Sequence, residues 1–209
     1  MAKIGLIDYG MGNLFSVQQA FKRLNQPLDI LRDPNNLNAV EALILPGVGA
    51  FDPAMINLEK TGLIPQLIDW INNGRPLLGI CLGLQLLFES SEEGSLPGLG
   101  VIKGHIHRLP QEKNERIPNM GWSPITKTNK CPLLKNDNKA NWMYFVHSYS
   151  ACPSERKNTA AITKFGESDV TAVVWYKNTG ACQFHPEKSG NAGQRLLFNW
   201  INWLKISEY

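Results

Sequence analysis

Cys81 stands within Gly79-Ile80-Cys81-Leu82-Gly83, a glycine-x-nucleophile-x-glycine spacing between an apolar run and a helical pattern. A nucleophile elbow needs this setting, because its tight turn leaves room only for small neighbours. The helix predicted over Leu82–Ser90 would place the sulfur at its positive N-terminus, which favours thiolate. A free thiol near pKa ~8.5 is only a few per cent ionised at neutral pH, so the environment matters. A buried cysteine between packing glycines is the plainer alternative. A second signal lies in Gln183-Phe184-His185-Pro186-Glu187. Proline restrains its own φ and steers His185 away from the helical region, which predicts an extended segment. His185 and Glu187 would then share one face, with the carboxylate orienting the imidazole. Read in the order Cys81, His185, Glu187, the residues suit nucleophilic attack assisted by an oriented base. The third signal is Leu45-Pro46-Gly47-Val48-Gly49. The backbone N–H groups of Val48 and Leu82 are the candidate oxyanion donors. Glycines on both sides of Val48 ease rotation of the peptide, so the hole need not be formed at rest.

These groups are far apart in sequence, so a fold must gather them. Lys3–Asp8, Ala42–Leu45 and Pro76–Ile80 read as short apolar strands. Ser16–Leu24, Leu63–Asn73 and Leu82–Ser90 read as helices between and after them, and Asp52-Pro53 as a helix N-cap followed by proline. Alternating strands and helices imply a mostly parallel central sheet flanked by helices. Gly98–Leu109, Asn141–Tyr149 and Thr171–Tyr176 alternate apolar and polar residues, which predicts antiparallel or mixed strands in the C-terminal half. Ser189–Lys205 closes the chain as an amphipathic helix. The expected fold class is α/β, in one domain over residues 1–209.

Composition narrows the function classes. With 43% hydrophobic and 19% charged residues among 209, the chain can build a full core. Its net charge of +3 is spread out, giving no footprint for nucleic acid. No apolar run nears the ~20 residues that span a bilayer, and the N-terminus lacks signal-peptide features, so a cytoplasmic protein is expected. The four cysteines, at 81, 131, 152 and 182, show no metal-finger spacing and are expected as free thiols, with Cys131 and Cys152 in loops. Asp8-Tyr9-Gly10-Met11-Gly12-Asn13 has Phe15 where a dinucleotide loop requires its third glycine, so no cofactor is expected. His105 and His107 alternate on one strand face without further ligands, and no metal is assigned to them. His147 reads as structural or interfacial, and Trp200 and Trp203 as packing.

The elbow continuing to Gln85, the Pro46–Gly49 loop and His185-Pro186-Glu187 resemble the class I (triad) glutamine amidotransferases. Phe88–Glu93, Asn119-Met120-Gly121-Trp122 and Tyr144–Tyr149 are similar to the glutaminase subunits of imidazole glycerol phosphate synthases, over about residues 4–205. The resemblance implies a flavodoxin-like amidotransferase fold. It also implies that Cys81 attacks the glutamine side-chain amide and forms a thioester, while His185 moves protons and Glu187 orients it. Gly49, Gln85 and Glu93 match positions that hold substrate glutamine, and Asn13, Trp122 and Lys188 match positions at the synthase interface. The implied partner is a (β/α)8-barrel cyclase forming a heterodimer and receiving the ammonia. A glutaminase for another synthase, such as one that aminates surface sugars, and a free-standing cysteine hydrolase are the competing readings.

Overall fold

The computed structural model describes residues 2–134 and 141–206. Gln111–Arg116 and Thr126–Lys139 are the stretches least similar to those glutaminase subunits, and positions 135–139 of the second lie outside the described residues. The N-terminal half runs β1 (Ile4–Ile7), α1 (Leu14–Lys22), β2 (Leu28–Leu31), β3 (Ala42–Leu45), α2 (Phe51–Lys60), α3 (Ile64–Asn72), β4 (Leu77–Ile80) and α4 (Leu82–Gln85). There follow β5 (Ser90–Ser91), β6 (Gly104–Arg108), β7 (Asn119–Lys127), β8 (Trp142–His147), β9 (Tyr149–Pro153), β10 (Thr159–Phe165), β11 (Ser168–Tyr176), β12 (Thr179–Cys182) and α5 (Gly190–Ile206). Nine strands form one sheet in the order β2-β1-β3-β4-β12-β11-β10-β7-β8, and β5-β6-β9 form a small second sheet. The first five are mutually parallel, and the next four continue antiparallel.

Strand alternation splits the core between the two faces of the sheet. Ile7, Leu43, Leu45 and Leu77 meet Leu58, Leu67 and Trp70 of α2 and α3. Ile4, Leu6, Ile44 and Leu78 meet Phe21 of α1 and Leu197 and Trp200 of α5. Fully burying each such side chain contributes about 1.5–3 kcal/mol. The adjacent trio β3, β4 and β12 matters most for chemistry. Leu45 pairs with Gly79 and Ile80 with Cys182, so three parallel strands end together. Residues 46–49, 81–85 and 183–187 therefore all leave the same sheet end, where open parallel sheets bind ligands.

Several sequence expectations need correction. The helix over Leu82–Ser90 stops at Gln85. The carbonyls of Leu86, Leu87, Phe88 and Glu89 accept from the N–H groups of Leu99, Ile102, Gly100 and Gly98, so they are not free to continue a helix. The same bonds keep residues 98–102 irregular, and the expected strand over Gly98–Leu109 is confined to β6. Asp52 is not an N-cap: α2 begins at Phe51 with Ala50 capping, and the carboxylate accepts from the N–H groups of Ser95 and Leu96. Helix α1 starts two residues early because the Asn13 side chain caps it through Ser16 N–H at 3.0 Å. Cys152 sits in β9, not a loop. Strands β2, β5, β7 and β10, and β9 beyond Tyr149, lie outside the stretches whose pattern predicts a strand.

Candidate active site

Cys81 follows β4 with φ 55° and ψ −109°, a conformation that L-residues rarely adopt. Two bonds hold it there: its N–H donates to the Cys182 carbonyl at 2.8 Å, and its carbonyl accepts from Leu84 N–H at 3.0 Å. Gly83 is indispensable to the turn, since a Cβ there would strike the Leu45 carbonyl. The side chain ends at the floor of a cleft and is only 7% exposed. A single turn of α4 follows, so the N-terminal charge that a longer helix would have supplied is small here.

The missing positive charge comes from His185. Its Nδ1 lies 2.8 Å from Glu187 Oε1, with both side chains 2% exposed. Residues Pro186–Lys188 form a 3-10 turn, which corrects the expected extended segment; only His185 remains extended, at φ −100° and ψ 95°. The turn brings Glu187 back to the imidazole. His185 N–H donates to the Tyr144 carbonyl at 3.0 Å, and Ser189 Oγ donates to the His185 carbonyl at 2.6 Å, fixing both sides of the residue. Burial by itself would lower the His185 pKa. Hydrogen bonds to Cys81 and Glu187, with the charges of both, outweigh it and raise the value to about 10. The ring therefore rests as an imidazolium between sulfur and carboxylate. Glu187 Oε2 is buried without a hydrogen-bond partner among the described residues.

The loop after β3 holds the two oxyanion candidates in unequal states. Leu82 N–H donates to the Gly47 carbonyl at 3.3 Å. In a planar trans peptide the C=O and the following N–H point in opposite directions, so Val48 N–H is turned away from Leu82. The two donors do not converge in this conformation. Gly49, at φ 106°, gives the loop its left-handed bend. Tyr9 is buried beneath, and its hydroxyl donates to the Pro46 carbonyl at 2.9 Å.

A cleft of about 290 Å³ opens above the sulfur, lined among others by Val48, Gly49, Cys81, Leu82, Gln85, Glu93, His147 and His185. Each candidate glutamine contact thus borders the space that also holds the nucleophile and the base. Glu93 Oε2 accepts from Phe51 N–H at 2.9 Å, tying its loop to the start of α2. Asp52 clamps the same loop two residues further on, through Ser95 and Leu96. His147 is buried with its Nδ1 on the Tyr149 carbonyl at 2.9 Å and its Nε2 on the Asn119 amide at 3.1 Å. A carbonyl only accepts, so Nδ1 carries the proton and Nε2 accepts, as a neutral ring requires. Burial lowers its pKa to about 4, offset in part by the Tyr149 bond, and nearby His185 lowers it further. His105 and His107 lie on β6, away from this cleft, paired with Ser90 and Glu92.

Asn13 is exposed and opens α1, which packs against the turn carrying exposed Lys188. Trp122 is 52% exposed on β7, edge-on to Tyr144 at 5.9 Å, the residue whose carbonyl holds His185. The sequence reading passed over Tyr9, Asp52 as a loop clamp, and Gln183. Gln183 is fully buried, and its Nε2 is 3.8 Å from Cys81 Sγ. Its position two residues before His185 was the available signal, because alternate residues of an extended segment share a face. Among the described residues no cluster of three or more His, Cys, Asp or Glu could hold a metal ion, and no helix is long and apolar enough to cross a membrane.

The family model described as glutamine amidotransferase class-I matches residues 5–203. The chain is 73% identical over 209 residues to the imidazole glycerol phosphate synthase subunit HisH of Prochlorococcus marinus (strain NATL2A), covering 100% of both chains. It is 60% identical over 205 residues to the subunit HisH 2 of the strain MIT 9313, covering 98% of this chain and 96% of the relative. A solved structure described as a glutamine amidotransferase superposes with a TM-score of 0.74 at 19% identity, over 97% of this chain and 99% of the other. That last likeness concerns the fold.

Proposed function

The chain belongs to the class-I glutamine amidotransferase family, and from that membership we propose that it is the glutaminase subunit of an imidazole glycerol phosphate synthase, acting in histidine biosynthesis. The observation that carries the reading at the level of chemistry is the meeting of Cys81 with a Glu187-held His185 in the cleft bordered by Gln85 and Glu93. In the proposed reaction Cys81 Sγ attacks the carboxamide carbon of glutamine, forming a C–S bond and a tetrahedral oxyanion. The His185 imidazolium gives its proton to the departing nitrogen, the C–N bond breaks, and ammonia leaves. His185, now neutral, takes a proton from water, whose oxygen attacks the thioester and releases glutamate with the thiolate restored. Glu187 keeps the ring oriented and stabilises its cation throughout.

Val48 and Leu82 are the proposed oxyanion donors, which requires the Gly47–Val48 peptide to rotate. Rotation would free Leu82 N–H and bring Val48 N–H beside it. The proposed heterodimer partner is a (β/α)8-barrel cyclase that receives the ammonia, docked over the face bearing Asn13, Trp122 and Lys188. The test is a glutaminase assay on the chain alone and with the purified cyclase and its ribotide ligand. Glutamate release should rise on mixing, and Cys81→Ser should remove it while leaving the circular dichroism spectrum intact. Rates that stay flat on mixing would reject the assigned partner. Hydrolysis by the serine variant at the normal rate would take Cys81 out of the reaction.

A further inference from the structure

We infer that Gln183 is a positioning residue, whose side-chain amide donates to Cys81 Sγ and ties the sulfur to the glutamine-binding side chain Gln85; this rests on the glutaminase reading for the role of Gln85 alone. The contact geometry defines a short directed chain. Gln85 Nε2 donates to the Tyr149 carbonyl at 3.2 Å and to Gln183 Oε1 at 3.1 Å. Gln183 Nε2 then faces Cys81 Sγ at 3.8 Å.

The direction of every bond is forced. A main-chain carbonyl only accepts, so the Gln85 group facing Tyr149 must be its NH2. That NH2 also meets Gln183, which must answer with its oxygen. The other end of the Gln183 amide is then its NH2, and it can only donate to the sulfur. Gln183 is fully buried, so water does not compete at its amide, and Gln85 is only 5% exposed where it borders the cleft. The backbone holds the residue equally firmly, with Gln183 N–H on the Ala172 carbonyl at 2.9 Å.

Two consequences follow from the chemistry. An N–H donor stabilises a sulfur anion more than a neutral thiol, because charged acceptors bind donors more strongly. Gln183 therefore supports the thiolate from the side of the sheet, while His185 supports it across the cleft. Both N–H bonds of the Gln85 amide are engaged inside the protein, which leaves its carbonyl oxygen as the group offered to an N–H of a ligand. A ligand pulling on Gln85 is thereby linked through two hydrogen bonds to the nucleophile. Filling the cleft and arming the sulfur become parts of one event.

The test reads the sulfur directly. The rate of Cys81 alkylation by iodoacetamide is followed between pH 6 and about pH 10 by mass spectrometry of the Cys81 peptide, which separates it from exposed Cys152. Gln183→Met keeps the length and removes the donor. Gln183→Glu keeps an acceptor for Gln85 and removes the donor at neutral pH. Both variants should alkylate about tenfold more slowly at pH 7 and approach the parent rate near pH 10, above the ~8.5 of a free thiol, where one donor matters less to the amount of thiolate. Packing damage alone would change access at every pH and would not produce convergence. Unchanged profiles in both variants, with circular dichroism of the folded chain retained, would overturn the assignment. Slowed alkylation in a chain that shows no glutaminase activity with its cyclase would uphold Gln183 and reject the functional reading instead.

Discussion

At the scale of single residues, the two buried histidines of the cleft pull stability in opposite directions as pH changes. His185 titrates near 10 in the folded chain against 6.5 for an unperturbed ring, so the folded state holds the extra proton between those values. The stability it contributes is whole below about pH 6.5 and is lost as pH rises through 10. His147 titrates near 4, so the unfolded chain binds more protons between 4 and 6.5, and stability falls as pH drops through that window. Urea denaturation across pH should therefore show greatest stability near 6.5. Glu187→Gln should flatten the alkaline limb, and His147→Gln the acid limb. In the assay with the cyclase, Glu187→Gln should also lower kcat by about 10²-fold or more, since it removes the group that orients the base. A single-turnover rate within twofold of the parent would show that His185 needs no such orientation.

At the scale of elements, the junction after β4 depends on one missing atom. Gly83→Ala would press a methyl group into the Leu45 carbonyl, forcing β3 and α4 apart. An overpacked contact of this kind typically costs about 1–3 kcal/mol, and here it also displaces Cys81. Thermal denaturation and glutaminase rates should both suffer. Asp52→Ala acts differently: it frees the N–H groups of Ser95 and Leu96 and loosens the loop of Glu93, so KM for glutamine should rise several-fold with kcat little changed. Equal losses in both parameters would place Asp52 closer to the chemistry.

The elements also show how far a sequence can be read locally. The apolar strands β1, β3 and β4 and the glycine spacing around Cys81 were legible because local pattern and long-range packing agree there. Convergence of Cys81 with His185 followed from residue types, although their junction depends on β12 lying beside β4, a pairing 102 positions apart in sequence for Ile80 and Cys182. What stayed hidden was non-local. Residues 86–89 have helix-forming side chains, but their carbonyls are taken by residues 98–102. Strand β7 carries Gly121 and Pro124, poor signals for a strand, and its pairing with β8 and β10 decides the matter. Asp52 resembles a cap in isolation, and only the fold shows its carboxylate serving another loop.

At the scale of the whole molecule, one large sheet does two jobs. Its parallel half collects the reactive groups at a common end, and its antiparallel half extends the sheet into an aromatic flank with Trp122, Tyr144 and Trp142 on the same two strands. Trp122 and Met120 are 52% and 64% exposed there, which suits a surface awaiting a partner. On the proposed docking face, Trp122→Ala should weaken association with the cyclase at least tenfold, the loss expected when an interface tryptophan is truncated. Isothermal titration calorimetry measures this without reference to catalysis.

The Gly47 carbonyl that occupies Leu82 N–H has a metabolic meaning for the solitary subunit. Amide nitrogen cleaved with no acceptor at hand would escape as free ammonia, and the cell's glutamine would drain to no purpose. With Val48 and Leu82 as the proposed oxyanion donors, a backbone oxygen parked on Leu82 N–H would act as a safety catch on that loss. Its release needs only one peptide to turn, with both neighbouring residues glycine or adjoining glycine, so the catch can be swift to lift and still hold when nothing is docked.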